Sequence, residues 1–396
     1  MKNSIAVMEL GTSKIVVLIG SRGLNNSITV DGIGVCDYDG FADGEWIAPE
    51  KLGVAISHVL DGARSSARRD IEKLYIGVPG DFLRCYCNEA SISLGKKRRV
   101  ADADVDMLFE QAEDIIAEGY TLVNKAPVYY TLDSDSKLIY PVGLVGSRLS
   151  GCASFMYADN RFIDMVDSAV KFAGISETDY VATAFAETQY LFDDYRRDMG
   201  TLLADVGAIE TTVTYGKGDG ICYCNTFDWG GDYITLVLRD ALGLSRETAD
   251  KLKQKINLCL DPQYVMESDE PGFMQTEYTV EENGEPRSFK VSDVNNLAEQ
   301  AIKYFVTCFE QSIKDCKDIP DTIPLTLTGG GLNIRGATER INLRLHRETE
   351  FARPKLHTWD NPAYSAAISL LDTVLAADEP SGGFMDRIKK LFSKRK

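Results

Sequence analysis

The stretch Glu9-Leu10-Gly11-Thr12-Ser13-Lys14 places an acid, a glycine turn, two hydroxyls and a cation side by side. A turn whose backbone N–H groups converge can grip phosphate oxygens, and glycine lets the chain approach the anion closely. Lys14 adds positive charge, and Thr12 and Ser13 add hydroxyl donors. Glu9 can orient water on a magnesium ion, because hard cations take oxygen ligands and magnesium keeps several of its waters. Taken alone, Gly-Thr-Ser is most often an ordinary hairpin turn. The order of three such elements tells more. Asp205-Val206-Gly207 and Thr328-Gly329-Gly330-Gly331, with Gly336 beyond, stand like the first at the ends of predicted strands.

Other chemistries find less support in the residues. His58, His346 and His357 are the only histidines, and none sits in a metal or triad signature. Cys85 and Cys87, and Cys222 and Cys224, form Cys-x-Cys pairs. In strands that spacing puts both thiols on one face, whereas structural zinc motifs carry two or more intervening residues, so these read as buried strand cysteines. Nine cysteines, with no secretory signal before the first strand pattern, fit a reducing cytoplasm. A net charge of −17 argues against general nucleic-acid binding, which needs a clustered basic surface. No apolar run is long enough to span a bilayer.

The elements that must hold the loops follow from periodicity. Residues 4–10 and 14–20 read as a hairpin around Gly11-Thr12-Ser13, and residues 51–69 as a helix with Leu52, Ala55, Ile56, Val59, Leu60 and Ala63 on one stripe. Residues 73–78 read as a strand. Residues 81–159 change character, to short strands around a helix at 104–118, like a small inserted α+β unit. A helix at 160–173 and a strand at 179–182 lead to a second hairpin, 201–204 and 211–215, enclosing Asp205-Val206-Gly207. That recurrence predicts a duplicated unit. Helical stretches are expected at 233–259, 293–315 and 362–376, with an acidic, turn-rich surface segment at 261–287 and a strand at 324–328.

In order and position the three loops resemble the two phosphate loops and the adenosine loop of the actin and Hsp70 ATPase superfamily. The resemblance sharpens to the bacterial FtsA family of cell-division proteins over nearly the whole chain. Tyr140-Pro141-Val142-Gly143-Leu144-Val145-Gly146-Ser147-Arg148-Leu149 is similar to the segment that closes that family's inserted domain, called 1C. Gly230-Gly231 with Ile234-Thr235, Ala249-Asp250-Lys251-Leu252-Lys253, and Asn361-Pro362-Ala363-Tyr364-Ser365-Ala366-Ala367 resemble three further family segments.

The resemblance implies an α/β, actin-like fold of duplicated ribonuclease H-like units with an inserted 1C domain. Residues 1–80 and 160–230 would form one lobe, 81–159 the insert, 231–376 the second lobe with the adenosine loop, and 377–383 a linker to a terminal helix at 384–396. It implies ATP held by Gly11, Thr12, Ser13, Lys14, Asp205, Gly207, Thr211, Thr212, Gly230, Gly231, Asp250, Lys253, Gly329, Gly330 and Gly331, with magnesium held through water by Glu9 and Asp205. It also implies self-assembly into filaments, an FtsZ-like tubulin homologue as partner, later division proteins recruited through the insert, and a peripheral place on the cytoplasmic face of the membrane at the division site.

The second phosphate loop departs from the family pattern Asp-x-Gly-Gly-Gly-Thr-Thr, having Ala208, Ile209 and Glu210 before Thr211-Thr212. A left-handed Ile209 would cost about 1–2 kcal/mol, and Glu210 would bring negative charge toward a polyphosphate. Weakened nucleotide binding and at most slow ATP hydrolysis are the expectations. Asp250 is shorter than the family's usual Glu, and Ala184-Phe185-Ala186-Glu187 offers no assigned water-activating residue. Two other readings stay open: a degenerate actin-like scaffold with little nucleotide binding, and a superfamily ATPase or small-molecule kinase.

The end of the chain carries its own chemistry. Phe384, Met385, Ile388, Leu391 and Phe392 recur at helical spacing, with Arg387, Lys389, Lys390, Lys394, Arg395 and Lys396 on the other face or end. This predicts an amphipathic helix lying on an anionic lipid membrane, freed from the body by Gly382-Gly383. A docked terminal helix or solvated basic tail is the competing reading.

Overall fold

Two sheets with the same strand order build the body, and the duplicated hairpins explain why. The computed structural model describes residues 4–23, 27–113, 118–259, 276–314, 316 and 319–378. The readings of the terminal helix 384–396, of the linker past residue 378 and of residues 260–275 lie outside these.

Strand β1 (Ile5–Leu10) pairs antiparallel with β2 (Lys14–Arg22), Glu9 opposite Val16 and Leu10 opposite Ile15. Ile5 to Met8 and Ile15 to Ile19 are all buried, as expected of strands covered on both faces. β3 (Ile28–Asp37) continues the meander, and β4 (Phe41–Ala42) and β5 (Glu45–Trp46) form a small hairpin. Helix α1 (Leu52–Ala67) buries the stripe its spacing predicts and ends where Arg68 turns left-handed (φ 53°). β6 (Lys73–Val78) then runs parallel to β1.

The chain next leaves this sheet through a single turn, Gly80–Phe82, into β7 (Leu83–Arg99), α2 (Asp102–Ala112), β8 (Tyr120–Leu132), β9 (Lys137–Leu138) and β10 (Val145–Asp159). The strands order as β7-β10-β8-β9 around their own apolar cluster, which includes Leu108, Phe109, Leu149 and Phe155. Instead of short strands, this unit has three long ones. Their register shifts twice along the β10–β8 pair, which masks the alternation in the sequence.

Helix α3 (Asn160–Phe172) returns to β11 (Glu177–Ala182), parallel to β6, and completes the first sheet as β11-β6-β1-β2-β3. Helices α4 (Thr183–Leu191) and α5 (Asp194–Met199) cross to the second sheet. There β12 (Thr201–Val206), β13 (Thr211–Lys217) and β14 (Gly220–Phe227) repeat the meander. After α6 (Gly231–Leu242), α7 (Arg246–Lys253), the hairpin β15 (Glu277–Glu282) and β16 (Glu285–Lys290), and α8 (Val291–Ile313), strand β17 (Leu325–Thr328) lies parallel to β12. Then α9 (Ala337–Leu345) leads to β18 (Thr349–Phe351), giving the order β14-β13-β12-β17-β18.

Three boundaries differ from expectation. The second hairpin belongs to the second sheet and not to the lobe of residues 1–80, because β12 presents its open edge to β17, with Asp205 paired to Thr328. The stretch 233–259 is not one helix: Gly243 turns left-handed (φ 62°) and caps α6. Helix α10 (Ser365–Asp378), read with the second lobe, packs on β1, β2 and α4 of the first, where its Leu370 and Leu371 are buried.

Candidate functional site

The two hairpin turns are built alike. Gly11 N–H donates to the Lys14 carbonyl and Gly207 N–H donates to the Glu210 carbonyl, each at 2.9 Å. Thr12, nearly buried, ties them together by accepting from the Ile209 N–H at 3.2 Å. The glycine loop after β17 closes the third side. Gly331 N–H donates to the Val206 carbonyl at 2.8 Å, and Gly231 N–H to that of Gly207 at 3.0 Å. Side chains would not fit: a Cβ on Gly331 would stand 2.3 Å from the Gly207 carbonyl oxygen, and one on Gly231 2.6 Å from the Gly331 Cα. Gly329 is left-handed (φ 82°), and its Cβ would meet an Asp205 carboxylate oxygen at 2.3 Å.

These loops enclose a cleft with about 1130 Å³ of empty volume, its open mouth included. The space enclosed for water-sized spheres is about 260 Å³, close to the lower end of the roughly 300–1,000 Å³ common for ligand sites, so part of a nucleotide would lie in the open mouth. Glu9, Gly11, Thr12, Ser13, Lys14, Asp205, Gly207, Thr212, Gly231, Lys253, Gly329, Gly330 and Gly331 line it. Thr211, Gly230 and Asp250 stand behind or beside the wall. Thr211 is buried and donates to the Trp229 carbonyl, Gly230 lies against Ala208, and Asp250 pairs with Lys253 at 2.8 Å. Lys253 also donates to the Gly231 carbonyl at 3.2 Å and to Thr235 at 2.9 Å, fixing the start of α6.

Lys14 reaches across the cleft, its Nζ donating to the Ala363 carbonyl at 2.9 Å and lying 4.6 Å from the Tyr364 ring centre. Opposite it stand three carboxyl groups. Burial pushes Glu9 up to about 7, Lys14 pulls it back, and Asp205 pushes it further. Burial also lifts Asp205 to about 6 against the pull of Lys14. Glu187, on α4, is raised well above the usual carboxylate range by burial and then by Asp205 and Glu9. Its Oε1 is buried with no hydrogen-bond partner.

The sequence reading assigned no role to Glu187. A lone acid between Phe185, Ala186 and Leu191 in an apolar stretch was the available signal, because such an acid is buried only where something compensates it. Among the described residues no three His, Cys, Asp or Glu side chains are arranged to ligate an ion directly. Magnesium held through its own waters fits these acids: a divalent charge would relieve their mutual repulsion, and a water would satisfy the orphaned Oε1.

One expectation about the second loop fails. Neither Ala208 nor Ile209 has a positive φ, so the loop stores no left-handed strain. Glu210 lines the cleft, and its Oε1 is held at the β4–β5 turn by the Asp43 N–H at 2.9 Å. The Gly207–Glu210 closure absorbs the missing glycines without distortion.

Solved structures share this architecture. A PilM–PilN type IV pilus biogenesis complex superposes with a TM-score of 0.62 at 14% identity, covering 96% of this chain and all of that one. MreB5 of Spiroplasma citri bound to ADP superposes at 0.52 and 11% identity, covering 94% and 97%. The fold is therefore actin-like, with an inserted domain. A sequence model described as the SHS2 domain inserted in FtsA matches residues 80–155, and one described as cell division protein FtsA matches residues 202–369. The cell division protein FtsA of Streptococcus pneumoniae is 23% identical over 92% of this chain and 78% of its own length. That of Escherichia coli K12 is 21% identical over 92% and 88%. The chain belongs to the FtsA family of cell-division proteins.

Proposed function

We propose that this chain is an ATP-binding, actin-like scaffold that assembles with copies of itself and ties filaments of an FtsZ-like tubulin homologue to the cytoplasmic face of the membrane at the division site. The observation that carries the nucleotide part is the meeting of two closed hairpin turns and a glycine loop around Lys14 and three acids. The backbone of Gly11 to Ser13 and the Lys14 ammonium would take the phosphates, Glu9 and Asp205 would hold magnesium through its waters, and Asp250 and Lys253 would flank the nucleoside. The bound ion would supply charge neutralisation for the polyphosphate. Calorimetry of ATP with and without magnesium tests this part. Heat of binding that is absent in both titrations sinks it and leaves the degenerate scaffold.

Self-association and recruitment of later division proteins fall to the insert, none of whose residues 81–159 lines the cleft and which leaves Ile139, Leu144 and Val145 exposed near its β9–β10 connection. Among the described residues no helix is long and apolar enough to cross a membrane. Attachment rests instead on residues 384–396, whose apolar and basic residues suit an anionic surface. Individually reversible tails become collectively strong in a filament, so assembly and attachment reinforce each other. Liposome co-sedimentation tests the tether. Replacing Phe384, Ile388, Leu391 and Phe392 by polar residues should remove most binding, and replacing Arg387, Lys389 and Lys390 by Gln should leave a weaker, salt-insensitive remainder. Undiminished binding after deletion of residues 383–396 would refute it.

A further inference from the structure

The β4–β5 turn aims two successive N–H groups at two carboxyl groups from different parts of the chain. Asp43 N–H donates to Glu210 Oε1 and Gly44 N–H to Asp81 Oδ2, each at 2.9 Å. Both turn residues are left-handed (φ 51° and 69°), the conformation that carries a two-residue hairpin and turns these amides outward. Glu210 is buried at the end of the second hairpin, and Asp81 sits in the turn where the chain enters the insert. Held on neighbouring amides, the two carboxyls are brought to one turn side by side. Two carboxylates so placed repel each other, and a proton shared between them removes that repulsion.

We propose that Glu210 and Asp81 form a proton-sharing clasp that pins the β4–β5 hairpin, and with it one wall of the cleft, onto the second phosphate loop and the root of the insert. The hairpin carries Phe41, which lines the cleft, and Trp46, which stacks on Phe82 at 5.7 Å and on Phe162 at 5.8 Å. Gly80, beside Asp81, has no room for a side chain, since a Cβ there would lie 2.5 Å from Thr212 and Thr226. The hairpin, the insert root and the second sheet therefore meet at one point. The titratable groups facing Glu210 are Asp81, Asp228 from the loop after β14, and Asp43 of the turn. Glu45 of the same hairpin lies 3.7 Å from Arg161. Burial and the neighbouring Asp81 push Glu210 up to about 9, while the Asp43 N–H pulls the other way. Loss of the proton leaves two adjacent negative charges beside Asp228, and the turn is released.

Amide hydrogen exchange over residues 41–46, in the full chain without nucleotide, tests it. Comparing wild type with Glu210→Gln at each pH cancels the intrinsic base catalysis of exchange. Gln keeps an acceptor for Asp43 N–H and donates to Asp81, so it should hold the hairpin at every pH. Wild-type protection should match the variant near pH 7 and fall below it by about tenfold per pH unit once the shared proton is lost. Glu210→Ala should be unprotected throughout. Protection that runs parallel in wild type and Glu210→Gln from about pH 7 to about pH 10 overturns the clasp. Should Glu210→Ala fail to fold, Asp81→Asn serves instead and should behave like Glu210→Gln. Trp46 emission, followed over the same titration, should shift only in the wild type.

Discussion

In the first hairpin the Gly11 N–H closes on the Lys14 carbonyl, and in the second the Gly207 N–H closes on that of Glu210, so backbone position for position the two turns coincide. Glu9 corresponds to Asp205, Thr12 to Ala208, Ser13 to Ile209, and Lys14 to Glu210. The duplicated acids line the cleft together. The residue that closes the turn has diverged in charge and in direction. Lys14 reaches into the cleft to the Ala363 carbonyl, whereas Glu210 turns to the Asp43 N–H and Asp81. A shared backbone plan leaves each side chain free to serve a different neighbour. The altered second loop is thus better described as recruited to a contact between lobes than as a damaged copy of the first.

The largest expected effect tests how the second hairpin is held. Its loop is packed backbone to backbone against Gly231 and Gly331, while Gly330 has only the Ala363 Cβ as near neighbour, at 3.2 Å. Gly331→Ala should cost at least about 3 kcal/mol in urea unfolding, because no flexible side chain can yield. Gly330→Ala should stay within about 1 kcal/mol. Equal costs would mean that the three-loop junction is looser than its hydrogen bonds indicate.

Next in size is the division of labour between Lys14 and Glu210. Lys14→Met should weaken magnesium–ATP binding by at least about tenfold, the loss of a charge-assisted contact worth about 1.5–3 kcal/mol. Glu210→Gln should change it by less than about threefold, since the Glu210 carboxyl is engaged by the Asp43 N–H. Replacing Ala208 and Ile209 by Gly should be similarly mild, because no positive φ is relieved. A large gain in affinity from those glycines would restore the strained-loop reading.

The paired acids make a pH prediction with a definite sign. Glu9, Asp205 and Glu187 hold protons more tightly folded than unfolded. Their contribution to stability is therefore complete below the unfolded carboxylate range and is lost as pH rises through about 6 and about 7. Ligand-free stability should fall across that window, and Glu187→Gln should flatten the fall and gain on the order of 1 kcal/mol at neutral pH. Magnesium–ATP should release protons on binding, seen as a buffer-dependent heat in calorimetry. Stability that rises from pH 5 to pH 7, in the absence of nucleotide, would contradict the acid cluster.

Much of this was readable from local pattern. Apolar runs on either side of Gly11-Thr12-Ser13 define the first hairpin, and the stripe Leu52, Ala55, Ile56, Val59, Leu60 and Ala63 defines α1. What escaped depends on distant partners. The sheet membership of β12 is set by β17, more than a hundred residues later. Helix α4 buries Ala184, Phe185, Ala186 and Leu191 almost all round, so it shows no helical stripe, and Glu187 is hidden within it. The direction of Glu210 was illegible because its partner, Asp43, lies 167 positions away in a hairpin of two-residue strands.

The smallest effect concerns the one side-chain bond that crosses between the turns. Thr12 and Ala208 occupy equivalent places, yet only Thr12 has a hydroxyl, and its Oγ1 accepts the Ile209 N–H at 3.2 Å. Thr12→Val keeps the shape and removes the acceptor, leaving that N–H without its partner at the base of the cleft; the cost should be about 1 kcal/mol, within the usual range for one hydrogen bond. Thr12→Ser keeps the oxygen and should lose no more than a few tenths, about the worth of one methyl in contact. Ala208→Thr supplies the missing hydroxyl, with the Ser13 N–H as its counterpart donor, and any gain in stability should stay below about 1 kcal/mol. Urea unfolding of these three single variants, of Ile209→Pro, which deletes the donor, and of Thr12→Val combined with Ile209→Pro decides the matter. If the bond is real, the double variant should lose less than the sum of its parts, by about the energy of the bond. Strict additivity would show that Thr12 is retained for the cleft alone and that the two hairpins are joined only through the glycine junction.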